Sequence, residues 1–173
     1  MGDFLNFGLR PVTLPDFVDG KLFLSRMPGR FEPIAEAEKA LVASGIQRIV
    51  CLASEDEIKR KAPEYWAAIQ EGRFREAYSW EQFPIPDFGV PEDRQGFLKL
   101  AHSIADGLKS GQSILIHCGA GIGRTGTLAM SALIALGMEL DQASKTVHAA
   151  GSGPETGEQR SLVHWVNEER RGS

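Results

Sequence analysis

Cysteine is nearly absent from this chain: its 173 residues hold two, Cys51 and Cys118. Both sit in apolar, strand-like stretches, too few and too isolated for a disulfide framework or a thiolate metal cage, which fits a reducing compartment and makes the cytoplasm the expected location. Long apolar runs are missing as well, since none approaches the ~20 residues of a membrane span. The opening MGDFLNFGLRPVTLPDF carries Asp3 early and has no unbroken apolar core behind basic residues, so it does not read as a secretory signal. Positive charge is not in excess either. A net charge of -4 and a pI near 5.6 argue against a general nucleic-acid binder, which would concentrate Lys and Arg. The four histidines lack metal-ligand spacing, and there is no internal repeat or low-complexity tract, so neither a metal, another cofactor nor a repeat array is expected.

What remains is ordinary globular material, 42% hydrophobic and 24% charged, of a length that suits a single domain over residues 1–173. Val18 to Ser25 reads as a strand entered through Asp19-Gly20. Pro33 to Ser44 places Ile34, Ala37, Ala40 and Leu41 on one helical face, with Gly45 as a stop. Ile46 to Ala53 is a buried strand by its β-branched content, and Trp80 to Ile85 is another. Between them a polar stretch, Ser54 to Arg75, carries one short helix around Tyr65 to Gln70. Pro91 to Lys109 is an amphipathic helix, Ser113 to His117 a strand, and three helical segments follow: Arg124 to Leu136, Leu140 to Ala149 and Glu155 to Arg170. Alternating strands and helices imply an α/β fold, with a mostly parallel, twisted sheet of four to five strands and a helical C-terminal third.

One stretch carries chemistry: ILIHCGAGIGRTG, Ile114 to Gly126, runs from a strand through a glycine-rich turn into a helix. Three phosphate cradles compete for it. Gly121-Ile122-Gly123-Arg124-Thr125-Gly126 matches G-x-G-x-x-G, but the dinucleotide fingerprint needs a second strand ending in an acid about twenty residues on, and a helical pattern stands there. The nucleotide P-loop needs four residues between its glycines and then lysine; Gly119 and Gly123 enclose three, and Arg124 follows. Neither reading uses Cys118. The third does, because His117-Cys118, five small residues, Arg124 and Thr125 form H-C-x5-R-[ST], the signature of cysteine-dependent phosphatases.

The physics of that motif is self-consistent. Backbone N–H groups from Gly119, Ala120, Gly121, Ile122 and Gly123 to Arg124 can form an inward-facing nest, and the following helix adds positive potential at its N-terminus. A free thiol with pKa ~8.5 is only ~3% thiolate at neutral pH, and helix N-termini and cations lower such values to roughly 3.5–7.5. Arg124 offers a planar fork to two phosphoryl oxygens and stays charged. Thr125 can donate its hydroxyl to the Cys118 sulfur as the phosphoenzyme breaks down, and His117 braces the loop.

On these residues the chain resembles the protein tyrosine phosphatase superfamily, over about Lys21 to Val166. HCGAGIGRTGT is similar to the loop of tyrosine-specific members, and Pro86-Asp87-Phe88-Gly89-Val90-Pro91 looks like their mobile acid loop, with Ile85 where they usually carry tryptophan. The short chain and the opening KLFLSRMPG resemble the small dual-specificity and atypical type. The resemblance implies that Asp87 is the general acid and that a C-terminal glutamine positions hydrolytic water; Gln159 is the candidate, with Glu155 at the aligned place. It also implies a metal-free phosphatase acting on phosphorylated proteins or peptides as a monomer, on phosphotyrosine first, with no nucleic-acid or membrane partner. Two alternatives stay open: an inactive phosphopeptide-binding module, and a phosphatase for a non-protein phosphate such as a phosphoinositide. In some relatives a second cysteine pairs reversibly with the nucleophile, a role Cys51 could take.

Overall fold

The computed structural model describes residues 7–172; the start of the chain, with Asp3, lies outside the described residues. Its centre is the strand that delivers the cysteine motif. Ser113–His117 (β5) has Ile114, Leu115 and Ile116 fully buried, because a strand flanked by parallel neighbours is covered on both faces and loses the usual polar alternation. β5 pairs in parallel with Lys21–Ser25 (β2) on one side and Arg48–Cys51 (β3) on the other, so that Ser25, His117 and Cys51 share one register position. Ser79–Gln82 (β4) runs parallel to β3, and Arg10–Val12 (β1) is antiparallel to β2, giving the order β1-β2-β5-β3-β4.

Successive side chains of a strand point to opposite faces, and two cores result. Ile114 and Ile116 join Leu22, Leu24, Phe97, Ile104, Leu128, Leu133 and Val163 on one side. Leu115 joins Ile49, Leu41, Tyr65, Ile69 and Phe74 on the other. The second core lies under Ile34–Ala43 (α1), Glu55–Lys61 (α2), Pro63–Gln70 (α3) and Arg73–Ala77 (α4). The first is covered by Arg94–Lys109 (α5), Gly123–Ala135 (α6), Leu140–Ala149 (α7) and Gly157–Gly172 (α8). No helix among the described residues is long and apolar enough to cross a membrane.

Three of the differences from expectation have a clear local reason. The stretch from 54 to 75 holds three helices rather than one. Ser54 caps the first by accepting the Glu57 N–H at 3.2 Å, three acidic residues follow it and three basic ones close the helix, and Pro63 opens the next at a position where its missing N–H costs nothing. Helix α5 starts at Arg94 instead of Pro91, because the Asp93 carboxylate accepts the Gly96 N–H at 2.8 Å and fixes the first turn. Strand β4 stops at Gln82, yet Phe83 and Ile85 still donate to Cys51 and Leu52 carbonyls at 2.8 and 3.0 Å. That continuation lays the Pro86–Pro91 loop across the carboxyl ends of the parallel strands.

A buried polar chain braces the end of β5. Trp80 Nε1 donates to the Tyr65 hydroxyl at 2.9 Å, that hydroxyl lies 2.8 Å from His117 Nε2, and His117 Nδ1 is 3.2 Å from the Cys118 carbonyl. The carbonyl can only accept, so Nδ1 carries the proton, Nε2 accepts, and the Tyr65 O–H donates to it. Every member is satisfied with His117 neutral; a second ring proton would leave the Tyr65 hydroxyl without its acceptor. Burial accordingly lowers His117 to about 4, from an ordinary 6.5.

A depressed histidine has a definite sign in linkage. The unfolded chain takes up a proton near pH 6.5 and the folded chain only near 4, so stability is complete above pH 6.5 and declines through that window, by roughly 3 kcal/mol in all. Urea unfolding at pH 7, 5.5 and 4.5 should show this loss in the wild-type protein and its absence in His117→Gln. Parallel pH dependences in the two proteins would remove His117 as the cause.

Candidate active site

The loop that follows β5 is organised from outside. The Gly119 carbonyl accepts the Met27 N–H at 3.1 Å, and the Ile122 carbonyl accepts those of Gly126 and Gly153 at 2.8 and 3.1 Å. The Gly121 carbonyl accepts Arg10 Nη2 and Ser152 Oγ, both at 2.6 Å. Because C=O and N–H of a trans peptide point in opposite directions, tying these oxygens to the outer wall turns the N–H groups of Ala120, Ile122 and Gly123 inward. Gly121 has φ 75°, and a Cβ there would stand 2.3 Å from the Ser25 carbonyl, so no other residue fits. Helix α6 begins at Gly123 without a side-chain cap, which leaves its first-turn N–H groups free for an anion. Cys118, 2% exposed, sits inside this ring, and its sulfur accepts the Gly121 N–H at 3.2 Å.

Arg124 is buried and held on three sides. Nη1 donates to Glu57 Oε1 at 2.7 Å and to the Ile85 carbonyl at 2.9 Å, while Nη2 donates to Glu57 Oε2 at 2.8 Å and lies 3.2 Å from Asp87 Oδ1. The fork of the guanidinium is therefore spent on Glu57, a residue that sequence reasoning missed. An incoming phosphate is left Nε and the Nη2 hydrogen that now faces Asp87. Glu57 also accepts Lys61 Nζ at 2.8 Å, and Lys61 is 3.8 Å from Asp87. Burial by itself raises the Glu57 carboxyl, but hydrogen bonds from Arg124 and Lys61 outweigh it and hold the group at about 2. The signals were local ones: Ser54-x-x-Glu57 marks a helix start, and Glu57 to Lys61 is an i,i+4 pair.

These groups face a cavity of about 200 Å³ whose walls include Cys118, Ala120, Gly123 and Arg124 from the motif, Asp87 and Phe88 from the Pro86–Pro91 loop, and Arg30, Lys61 and Glu155. Asp87 is half-exposed at its mouth. The neighbouring Phe88 has φ 61°, an unusual conformation for a bulky residue, concentrated where the loop turns. Through Lys61 and Asp87 the cavity adjoins a larger cleft of about 770 Å³, floored by Phe83, Pro84 and Pro91 and edged by Arg60 and Glu92.

Of the two C-terminal candidates, the structure brings Glu155 to the cavity wall. Gln159 is buried behind it, where Oε1 accepts the Glu155 N–H at 2.8 Å and Nε2 donates to the Gly89 carbonyl at 3.1 Å. Gln159 thus joins the Pro86–Pro91 loop to the Glu155 turn and is not among the residues that line the cavity. The Thr125 hydroxyl is buried and, among the described residues, has no hydrogen-bond partner, so the expected bond to the Cys118 sulfur is not formed in this state. Asp93 is occupied as a helix cap. Cys51 is a free, buried thiol 3.7 Å from the Ala53 carbonyl, pushed up to about 12 by burial.

Comparison with known proteins places this arrangement. Tyrosine-protein phosphatase 2 of Dictyostelium discoideum is 39% identical over 59 residues, which are 34% of this chain and 15% of that protein. Human tyrosine-protein phosphatase non-receptor type 14 is 35% identical over 77 residues, 38% of this chain and 6% of that one. The chain thus spans a small part of these relatives. Among solved structures, a kinase associated phosphatase with its catalytic cysteine changed to serine superposes with a TM-score of 0.79 at 19% identity, covering 95% of this chain and 96% of the other, a likeness of fold. Tk-PTP in the active form is 28% identical, with a TM-score of 0.64, over 87% of this chain and 93% of its own. A family model described as "Tc-R-P: Polymorphic toxin system, DSP-PTPase phosphatase" matches residues 25–138, well over half the chain and all of the cysteine motif. On that match this protein belongs to the polymorphic toxin system DSP-PTPase phosphatases, within the protein tyrosine phosphatase superfamily.

Proposed function

We propose that this phosphatase hydrolyses phosphate monoesters, phosphotyrosine in proteins before others, through a cysteinyl-phosphate intermediate. The observation that carries the reading is the placement of one buried sulfur within a ring of inward N–H groups, in the same 200 Å³ cavity as Arg124 and Asp87. In the first step the Cys118 thiolate attacks phosphorus, the bond to the ester oxygen breaks, and Asp87 gives that oxygen its proton. Arg124 and the loop amides hold the equatorial oxygens as charge builds. In the second step water attacks the phosphocysteine, a carboxylate takes its proton, and sulfur leaves as thiolate with the Thr125 hydroxyl turned toward it. We assign this water to Glu155, which lines the cavity wall, and give Gln159 the support of the Pro86–Pro91 loop through the Gly89 carbonyl. Asp87 now lies against Arg124, so phosphate binding exchanges one anion for another on Nη2. His117, neutral and hydrogen-bonded at both nitrogens, braces the loop and takes no part in proton transfer.

Turnover of p-nitrophenyl phosphate in the presence of EDTA tests the reading directly. Cys118→Ser should abolish it while leaving tungstate binding largely intact, because a serine hydroxyl is a far poorer nucleophile. Residual turnover at the wild-type rate would end the cysteine mechanism. A phosphopeptide panel then ranks phosphotyrosine against phosphoserine and phosphothreonine.

Asp87→Asn should slow kcat by roughly 10²–10⁴-fold, most for poor leaving groups, and should remove the alkaline limb of the pH–rate profile, which reports loss of the acid's proton. If that variant keeps the limb and the rate, Glu92 is the next carboxylate to test.

Glu57→Gln removes the carboxylate partner of a buried guanidinium. The expected loss is about 3–5 kcal/mol of stability at neutral pH, because Arg124 stays charged. In the wild-type protein the same contribution is present above the ordinary 4.5 and disappears only as pH falls toward about 2. Equal unfolding free energies for the two proteins at pH 7 would show that the pair does not anchor Arg124.

A further inference from the structure

We propose that Arg10, on the edge strand, is a positioning residue of the phosphate loop: by holding the Gly121 carbonyl on the outer side it aims the Ile122 amide at the substrate phosphate. The inference rests on the preceding reading that this loop binds phosphate. Arg10 does not line the cavity, so it acts through the peptide it holds.

The geometry is specific. Nη2 donates to the Gly121 carbonyl at 2.6 Å, and Nη1 donates to the Ala150 carbonyl at 2.6 Å and to Ser152 Oγ at 3.0 Å. Ser152 passes the bond on, its hydroxyl donating to the same Gly121 oxygen at 2.6 Å. Both lone pairs of that oxygen are therefore engaged on one side, and rotating the 121–122 peptide would break two short bonds at once. The guanidinium is steadied from below by Nε to the Gly8 carbonyl at 3.2 Å. Room for it is built in: Gly151 has φ 86°, and a Cβ there would stand 2.6 Å from Arg10 Nη1.

Arginine is needed because its planar fork spans three acceptors on two chain segments, which a lysine ammonium cannot do. Its charge adds to the effect. Burial lowers the Arg10 pKa, and the nearby Cys118 opposes that loss. A residue that merely stapled β1 to the end of α7 would also form bonds to Ala150 and Ser152. It would have no need of the short bond to Gly121, and its loss would leave the folded site unchanged.

The test compares wild-type protein with Arg10→Gly, Arg10→Lys and Ser152→Ala, each checked by circular dichroism to be folded under the assay conditions. Tungstate affinity by calorimetry and p-nitrophenyl phosphate turnover are the readouts. Arg10→Gly should bind tungstate about tenfold or more weakly, with a comparable fall in kcat, since a charge-assisted bond fixing one oxyanion donor is lost. Millimolar guanidinium, but not equal sodium chloride, should restore part of both. Arg10→Lys should fall between, and Ser152→Ala should lose less. Folded Arg10→Gly with wild-type affinity and kcat overturns the proposal, as does a loss that guanidinium leaves untouched. Should Arg10→Gly fail to fold, wild-type affinity in both Arg10→Lys and Ser152→Ala overturns it equally. A wild-type protein that neither binds tungstate nor turns over substrate sinks the phosphatase reading and this inference with it, whereas normal wild-type behaviour beside indifferent Arg10 variants sinks the inference alone.

Discussion

The planarity of the peptide bond governs this site. A backbone amide can be pointed at a ligand only if the carbonyl on its other side is given something else to hold, and the Cys118 loop meets that condition through Met27, Arg10, Ser152, Gly126 and Gly153. Those partners come from β1, from the segment after β2, from the turn before α8 and from α6 itself. The sheet and helices are, in this sense, a frame that gathers outward acceptors' donors around one end of β5. The parallel pairing of β2, β5 and β3 matters for the same reason, since it brings three strand ends to one edge, with the loop beyond them.

Charge is handled by pairing rather than by hydration. Arg124 lies almost wholly out of water, and its cost is offset by the bidentate carboxylate of Glu57, which is in turn shared with Lys61. The chain of alternating signs runs from Arg124 through Glu57 and Lys61 to Asp87 and returns to Arg124. The two cations of that ring are thus held in place by the carboxylates between them. Preorganised charge of this kind needs little rearrangement as the reaction proceeds.

Much of this was legible in the residues. Strand β5 and helix α7 have the expected bounds, Ser113–His117 and Leu140–Ala149, because the apolar core of the one and the helical periodicity of the other are local signals. The motif from His117 to Thr125 was readable because its chemistry is contiguous. Partners that reach the site from far along the chain were not. Glu57 lies 67 residues before Arg124 and Arg10 lies 111 before Gly121, distances across which no periodicity speaks. Strand β1 escaped notice for another reason: at three residues with Pro11 in the middle, it is held by pairing with β2 rather than by any propensity of its own. Glu155 and Gln159, four apart near a helix start, could not be told apart by spacing, and only the fold shows that Gln159 is buried against the Gly89 carbonyl while Glu155 lines the cavity.

That edge strand has a consequence for how the molecule meets its own copies. A parallel sheet closed by long, flat borders would offer rows of unpaired N–H and C=O groups to any neighbour in the extended conformation. Here one border is three residues long and lacks the donor that Pro11 cannot supply, and the other is four residues long and runs directly into Pro84 and Pro86. Strand addition at either side is thus interrupted within a few residues, and among the described residues intermolecular β-pairing, the usual route from a well-formed sheet to an aggregate, has no uninterrupted template to copy.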